Sequence, residues 1–290
     1  MSTVTKKNYA YAMKRLERAG LVATDYDAVC AWINGQELSL NSKKMYYVAL
    51  ADYFKTDDPA LSDRYKEQYV GMNRVLIAKS KEQKLTDAER EKYLPYERIQ
   101  EVFYDAWLSP HESLEDKMLV GFYTRMPPAR ADYSRLRVYC NTRPDTSENH
   151  IQIWGQVQRQ PYSCSVEVFI GEHKTAQSAG TLKRIVPGEV AHLMFEYLRA
   201  YSAMTGVSLA TYLAREEPIY LFDFAPAEIT TRLQRVFLRY TGKAISVNII
   251  RHSYITKQME GRPPLTQVEA EAAEMGHSVL THETYRRLDA

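Results

Sequence analysis

Segments with the composition of β-strands occur in one stretch of this sequence only, between residues 136 and 186. Four runs there are rich in β-branched and aromatic residues, namely Leu136–Cys140, Ile151–Trp154, Val166–Ile170 and Leu182–Val186. Such runs, separated by turn residues, are typical of strands. On both sides of this stretch, apolar residues recur at helical spacing. The sequence therefore predicts a mainly α, α+β fold with one small antiparallel sheet.

Residues 1–80 are predicted to fold as a bundle of four short amphipathic helices. The first ends at Gly20, the second begins near Thr24 or Asp25 and ends at Gly35, the third begins after Ser39 or Asn41, and the fourth begins near Leu61. These boundaries follow from the preference for small polar residues at helix N-termini and for glycine just after C-termini.

The charged segment 81–95 is predicted to extend the fourth helix briefly and then to form an exposed linker to a larger domain, residues 96–290. Pro95 is placed to begin a helix, because proline suits the start of a helix. The Pro127–Pro128 pair cannot continue the next helix, which we expect to end there. After Pro187 the sequence is helical again.

Charge and cysteine content restrict the class of protein. Lys and Arg number 38 against 36 Asp and Glu, so the net charge is +2 and any contact with nucleic acid needs local positive charge. Three widely separated cysteines provide neither a disulfide framework nor a cysteine-based zinc site. The sequence has neither an apolar run of membrane-spanning length nor a secretory signal, so we expect a soluble intracellular protein.

Common catalytic motifs are missing from the sequence. It contains no glycine-rich nucleotide-binding loop, no HExxH zinc motif and no GxSxG nucleophile elbow, and it gives no sign of a cofactor or metal. What remains is a set of separated polar residues near predicted element boundaries. They are Arg130, Lys174, Asn248, Arg251, His252, His277 and Tyr285.

In order and setting, these residues resemble the active site of the tyrosine recombinase/integrase family, and the resemblance covers essentially the whole chain. The family's first catalytic arginine lies in a T…R..(E/D)…L segment, which is matched by Thr124, Arg130, Asp132 and Leu136, with an unusual Pro-Pro insert. Its catalytic lysine lies in a β-hairpin and is matched by Lys174. Viral and transposon-borne members are the most similar in character.

Two further motifs complete the resemblance. The family's H-x-x-R-H appears with Asn248 in place of its first histidine, followed by Arg251 and His252. Its Gly-His-Ser followed by a nucleophilic tyrosine appears as Gly276-His277-Ser278 with Tyr285 eight residues after the histidine.

The resemblance implies a site-specific DNA recombinase or integrase that forms a covalent 3′-phosphotyrosyl intermediate, without metal or small-molecule cofactor. It implies that residues 1–80 are a helical DNA-clamping domain and that residues 96–290 are the catalytic domain. The implied partners are double-stranded DNA and other copies of the chain, as a dimer to tetramer. The expected setting is wherever the target DNA is, in a prokaryotic cytoplasm or, for integration of a viral genome or mobile element, a host nucleus.

The chemistry expected of these residues follows from their types. A tyrosine hydroxyl that attacks a phosphodiester forms a covalent intermediate, and fixed guanidiniums, here Arg130 and Arg251, stabilise the charge on the phosphate oxygens. Lys174 is the candidate general acid for the departing 5′ oxygen, and His277 is expected to donate to a phosphate oxygen. Asn248 can form a hydrogen bond to a phosphate but cannot exchange a proton near neutral pH.

Helix geometry adds two expectations. Asn248 and Arg251, three residues apart, share one helix face and can reach the same phosphate. On one straight helix His277 and Tyr285 would lie about 12 Å apart, so a turn must separate them.

Some assignments have competitors in the sequence. Arg125 or Arg135 competes with Arg130, Lys183 with Lys174, and His282 with His277. His252 is expected to be a buried support for the site rather than a catalyst.

DNA binding requires lysines and arginines that face phosphates. The candidates are Lys6, Lys7, Lys14, Lys43, Lys44, Arg232, Arg235 and Arg239. The three arginines form one helical stripe, for which a solvated face is the alternative. Two other functions stay open from the sequence: a type IB topoisomerase, and a DNA-binding protein with a partly decayed active site.

Overall fold

The computed structural model describes residues 3–81, 84–157, 159, 163–260 and 265–285. The chain divides into two compact units, Met1–Glu82 and Gln83–Ala290. Each unit has its own hydrophobic core.

The first unit contains four helices, as predicted. They are α1 (Thr3–Arg18), α2 (Tyr26–Gly35), α3 (Leu40–Phe54) and α4 (Pro59–Lys81). Gly20 has a positive φ of 71° just after α1, while Asp25 and Ser39 cap α2 and α3 by accepting a backbone N–H. Glycine adopts this left-handed backbone without strain, and a side-chain oxygen satisfies an otherwise unpaired helix N–H.

Tyrosines form much of the core of the first unit. Tyr47 and Tyr65 are fully buried, and their hydroxyls donate to the side chain of Asn34 and the carbonyl of Ala23 at 3.3 and 2.8 Å. A buried tyrosine needs such a partner for its hydroxyl. These two of the chain's 22 tyrosines are thus structural.

The predicted linker 81–95 contains one short helix, α5 (Asp87–Lys92), which sequence reasoning missed. Thr86 accepts a hydrogen bond from the backbone N–H of Glu89, whose carboxylate accepts from the N–H of Thr86. This reciprocal pair is a capping box, and its Thr-x-x-Glu signature was present in the sequence. Residues 82 and 83 of the predicted linker lie outside the described residues.

The second unit begins with α6 (Tyr96–Leu108) and α7 (Leu114–Thr124). Helix α6 starts directly after Pro95, as predicted. Helix α7 ends three residues before the Pro127–Pro128 pair, and the Tyr96 hydroxyl donates to the carbonyl of Thr124 at 2.7 Å. Residues 125–136 therefore form a non-helical connection between α7 and the first strand of the sheet.

The sheet is mixed, so the prediction of an antiparallel sheet is wrong. Its strands, in the order β1-β2-β3-β4, are β1 (Arg137–Cys140), β2 (His150–Trp154), β3 (Ser165–Ile170) and β4 (Leu182–Ile185). The two later pairs are antiparallel, but β1 pairs with β2 in parallel, with Arg137 opposite His150. The reason is the connection 141–149, which returns the chain to the start of β1 before β2 begins.

The other edge of β1 is also paired, which was not predicted. The N–H of Val138 donates to the carbonyl of Ile219, and the N–H of Leu221 donates to the carbonyl of Leu136, both at 2.8 Å. This pairing covers an otherwise open strand edge.

Helices complete the unit. They are α8 (Ala176–Ala179), between β3 and β4, then α9 (Gly188–Met204), α10 (Leu209–Leu213), α11 (Pro226–Thr241), α12 (Val247–Gln258), α13 (Leu265–Glu274) and α14 (Val279–Glu283). The described part of the second unit is therefore mostly helical around one small sheet. No helix among the described residues is long and apolar enough to cross a membrane.

Candidate active site

Helix α12 carries an arginine into the core of the second unit. Ser246 caps the helix, and apolar residues such as Ile249, Ile250 and Ile255 bury its first turns. Arg251 lies among them with 0% exposure. Its Nη1 donates to the carbonyl of Pro128 at 2.6 Å, while Nε and Nη2 find no hydrogen-bond partner among the described residues.

The charge on Arg251 is poorly compensated. Burial, and then the positive charges of Arg130 and Arg184, lower the pKa of Arg251 to about 10, while Tyr285 and Asp132 act in the opposite direction. The guanidinium stays protonated at neutral pH, so it is a buried cation with two unused donor groups. Such an arrangement favours binding of an anion.

The loop after α7 holds Arg130 near this cation. The Tyr123 hydroxyl donates to the Arg130 carbonyl, the Tyr133 hydroxyl donates to the Pro127 carbonyl at 3.2 Å, and the Arg130 N–H donates to Asp132. These bonds fix the backbone and leave the side chain available. Within the described part of the chain, the Arg130 guanidinium has no hydrogen-bond partner of its own.

The alternatives to Arg130 have other partners. Arg125 is paired with Glu189 at 2.7 Å. Arg135 lies over the ring of Tyr220 and is 3.6 Å from Asp223.

A tight turn places His277 between α13 and α14. The N–H of Gly276 donates to the carbonyl of Ala273, and the N–H of His277 donates to the carbonyl of Ala272. This is the Schellman pattern, and Gly276 supplies its left-handed residue with φ 68°. Ser278 then caps α14, so Gly-His-Ser ends one helix and begins the next.

Tyr285 lies two residues after the end of α14, so this short helix separates it from His277. Its ring centroid is 5.2 Å from that of His277 and 4.9 Å from that of His252, with the His252 ring stacked at 29°. The Arg251 guanidinium carbon lies 5.5 Å from the centre of the Tyr285 ring. Arg251, His277 and His252 therefore all lie against the ring of Tyr285.

Lys174 is exposed in the connection between β3 and β4, at the position predicted. The next residue, Thr175, donates its hydroxyl to the carbonyl of Gly276, and a Cβ on Gly276 would lie 3.3 Å from His173. The hairpin thus packs against the His277 turn. Its competitor Lys183 is paired with Glu167 at 2.7 Å.

The two predicted supporting residues, Asn248 and His252, differ in how deeply they are buried. Asn248 is exposed one turn before Arg251 on α12, and Arg251 is buried. His252 is buried with 7% exposure against Tyr285.

Sequence reasoning missed Arg184 on β4. This arginine is 5% exposed and donates from Nη1 to the carbonyl of Pro127 at 2.6 Å and to the Tyr133 hydroxyl at 2.5 Å. Its Nη2 donates to the carbonyl of Glu274, near the end of α13. It therefore connects the Arg130 loop to the helix before His277. The only available signal was strand alternation, which places Arg184 on the same inward face as Leu182.

The three arginines of α11 are paired with carboxylates in the first turn of α7 or two residues before it. Arg232 is within 2.8 Å of Glu115 and 3.2 Å of Asp116, Arg235 is 2.6 Å from Asp116, and Arg239 contacts Glu112. These ion pairs connect two helices. We therefore do not include Arg232, Arg235 and Arg239, which the sequence suggested for DNA binding, among the proposed DNA contacts.

The candidate lysines of the first unit form two groups. Lys6, Lys7 and Lys14 are exposed on α1. Lys43 donates to the carbonyl of Asn34 at 2.7 Å, and Lys44 donates to Asn73 at 3.2 Å.

No family model and no curated protein matches this chain. Among solved structures, the crystal structure of XerA recombinase aligns with 100% of this chain and 89% of its own, at 13% identity and a TM-score of 0.42.

Proposed function

We propose that this protein cuts and rejoins DNA strands, as a site-specific recombinase or integrase, through a covalent 3′-phosphotyrosyl intermediate on Tyr285. The observation that carries the proposal is the contact of the Tyr285 ring with Arg251 and His277, residues that lie 34 and eight positions before it in the sequence. A phenol beside a buried cation with unused donors is suited to attack on a bound phosphate.

Arg251 and Arg130 are the proposed phosphate ligands. Each has guanidinium N–H groups without a partner among the described residues, and the two are close enough for Arg130 to lower the pKa of Arg251. A phosphodiester carries the negative charge that would relieve this repulsion and accept the free hydrogen bonds. Charge on the phosphate oxygens rises during the reaction, so fixed guanidiniums stabilise the transition state more than the ground state.

The proposed step forms a bond from the Tyr285 oxygen to phosphorus and breaks the bond from phosphorus to the 5′ oxygen of the next nucleotide. That oxygen takes a proton from Lys174, whose exposed position next to the His277 turn gives it access to a bound strand. In the reverse direction a 5′ hydroxyl attacks the phosphotyrosine and returns its proton to Lys174. The joined strand and free Tyr285 result.

Lys6, Lys7 and Lys14 on α1 are the proposed phosphate contacts of the first unit. They are exposed and hold no ion pair among the described residues, in contrast to the paired arginines of α11. Contacts of this kind give affinity without sequence reading.

A nicked duplex library of random sequence tests the proposal, because cleavage close to a nick releases a short strand and prevents rejoining. Wild-type protein is expected to form a denaturant-resistant covalent adduct, and Tyr285→Phe is expected to form none. Tyr104→Phe, which changes an exposed tyrosine of the same unit, is the matched control and should behave as wild type. Sequencing the trapped DNA gives the target site.

Three results would contradict the proposal in different ways. An adduct that persists in Tyr285→Phe would exclude this nucleophile. Salt-sensitive DNA binding without any wild-type adduct would indicate a decayed active site. Relaxation of supercoiled plasmid without exchange between two duplexes would indicate a type IB topoisomerase.

A further inference from the structure

A row of buried polar side chains extends from Tyr285 into the protein, behind the phosphate site. The ring of His277 is 5.2 Å from that of Tyr285, and the ring of His282 is 5.3 Å from that of His277. The Nε2 atom of His282 lies 3.8 Å from Oε2 of Glu271. The order along the row is therefore tyrosine, histidine, histidine, carboxylate.

The members of this row have unused hydrogen-bonding capacity. His282 is 0% exposed and His277 is 7% exposed, and none of their four ring nitrogens has a well-formed hydrogen bond among the described residues, although the backbone of Ser278 lies close enough to His277 to act on its pKa. The Oε2 atom of Glu271 is also without one, while its Oε1 accepts from Gln267 at 2.7 Å. Leaving buried polar atoms unpaired is costly, and such groups call for an explanation.

A packing role does not explain His282. A phenylalanine would fill a similar volume without burying two unpaired nitrogens. The position of His282, with a carboxylate on one side and His277 on the other, indicates instead a role in hydrogen bonding.

Both histidines are neutral in the free site. Burial, followed by the positive charge of Arg251, lowers the pKa of His277 to about 3 and that of His282 to about 4. A neutral imidazole has one N–H donor and one acceptor nitrogen. A row of two such rings can therefore be directional, with each ring donating towards Glu271 and accepting from the Tyr285 side.

We propose that Glu271, His282 and His277 form a hydrogen-bond relay that activates Tyr285, with His277 as the base that takes its proton. This inference rests on the proposed function of the site. His282 donates from Nε2 to Glu271 and accepts from His277, whose second nitrogen accepts the hydroxyl proton of Tyr285. This role replaces the donation to a phosphate oxygen that the resemblance implies for His277, because a neutral imidazole has one N–H. Glu271 and His282 are positioning residues that fix the tautomer of His277, as a hydrogen bond on one ring nitrogen determines the role of the other. Hydrogen bonds of this kind commonly tighten only when substrate binds.

The proton balance of the step is closed. As the Tyr285 oxygen bonds to phosphorus, its proton moves to His277, and the proton for the leaving 5′ oxygen comes from Lys174. On rejoining, the tyrosine oxygen recovers its proton from His277. The bound phosphodiester offsets the positive charges of Arg251 and Arg130, which in the free site oppose protonation of His277.

The test compares single-turnover cleavage by His282→Phe and wild type, with protein in excess over a nicked duplex of the trapped sequence. His282→Phe keeps a ring in the buried space and should slow cleavage on the order of 10²-fold. DNA affinity, measured by fluorescence anisotropy in a Tyr285→Phe background, should not change. Glu271→Gln should give a smaller loss, and His111→Phe, an exposed histidine of the same unit, should have none.

A second substrate distinguishes whether His282 acts on the Tyr285 nucleophile or on the leaving 5′ oxygen. With sulfur in place of the bridging 5′ oxygen, the leaving group departs as a thiolate and needs no proton. This substrate should restore the rate of Lys174→Met but not that of His282→Phe. Restoration of His282→Phe would overturn the relay, because it would assign His282 to the leaving group.

Two outcomes separate this inference from the proposed function. If wild type forms no adduct with any duplex, the proposed function fails and the relay fails with it. If wild type cleaves and His282→Phe cleaves at the same rate, the relay alone fails. Histidine side-chain ¹⁵N NMR of the unmodified protein needs neither DNA nor a variant. It should show His282 with its proton on Nε2, and a proton on Nδ1 would overturn the relay.

Discussion

Replacing Arg232 by methionine distinguishes a structural arginine from a DNA contact. The guanidinium is 22% exposed and contacts Glu115 and Asp116 of α7 as well as Glu228 on its own helix. Methionine keeps an unbranched apolar side chain over the ring of Phe224, which the guanidinium carbon now covers at 4.6 Å. The substitution therefore removes charge and hydrogen bonds and retains much of the packing.

The expected loss of stability follows from what remains after the change. Removing one partner of a buried ion pair costs about 3–5 kcal/mol, because the other charge is left uncompensated. Here Asp116 keeps Arg235 and the hydroxyl of Ser113, and Glu115 is 23% exposed, so part of that cost is relieved by solvent. We expect about 2–3 kcal/mol, or a decrease in Tm of about 4–12 °C for a unit of this size.

The assay is thermal unfolding followed by circular dichroism, with Arg143→Met as the control because Arg143 is exposed in the same unit. The same protein is titrated with DNA at several salt concentrations. If Arg232 is structural, Arg232→Met should have a lower Tm than wild type and the same salt dependence of DNA affinity. A Tm within about 1 °C of wild type, with a salt slope smaller by about 0.9, would refute this reasoning and assign Arg232 to a phosphate.

Two further predictions concern pH and salt. The pKa values of His277 and His282 are lower in the folded protein than the ordinary 6.5, so the unfolded chain binds more protons between about pH 6.5 and pH 4 and stability falls as pH decreases through that range. Urea unfolding at several pH values gives the free energy of unfolding, which should fall less steeply with decreasing pH in His282→Phe than in wild type. The expected difference between the two slopes is up to about 1.4 kcal/mol per pH unit, and equal slopes would contradict the buried neutral state of His282. Replacing Lys6, Lys7 and Lys14 together by glutamine should weaken DNA binding and reduce its salt slope by about 0.9 for each of these lysines that neutralises a phosphate, and an unchanged slope would place the DNA elsewhere.

Local signals predicted most of the secondary structure. Asp25 and Ser39 cap helices where the sequence placed helix starts, and all four strand positions agree within one residue. Caps and strand composition depend on neighbouring residues, so they can be recognised in one sequence. Thr86 and Glu89 show that the same kind of signal was overlooked in a charged segment that was interpreted as a linker.

Features that depend on distant residues were not predicted. The parallel pairing of Arg137 with His150 is set by the path of an irregular connection, which has no sequence signature of its own. The pairing of Arg232 with Glu115 joins residues 117 positions apart, and as a helical stripe the arginines of α11 looked equally suited to solvent or DNA. Arg184 carries no motif, and its role depends on carbonyls from two remote segments.

For the candidate site, the motif predicted which residues belong to it, whereas their distances and burial are known only from the fold. His277, Tyr285 and Arg251 were identified by their resemblance to a family motif, and in the structure His277 and Arg251 both lie against the Tyr285 ring. The exposure of Asn248 and the burial of Arg251 could not be read from the helix, because spacing of three residues puts both on one face without saying how deep each lies.

The burial of Arg251 is the most informative feature of the site. A fully buried guanidinium that, among the described residues, has one carbonyl partner and no carboxylate bonded to it lowers stability, since buried charges are normally paired. On the proposed function, the same N–H groups become satisfied when a phosphodiester binds, so substrate binding compensates the destabilisation present in the free protein. Arg130 adds a second cation to the same space, which increases the cost without an anion and the gain with one. The proposed function therefore accounts for two uncompensated guanidiniums in one place, as a site preorganised for a phosphate whose negative charge increases during the proposed reaction.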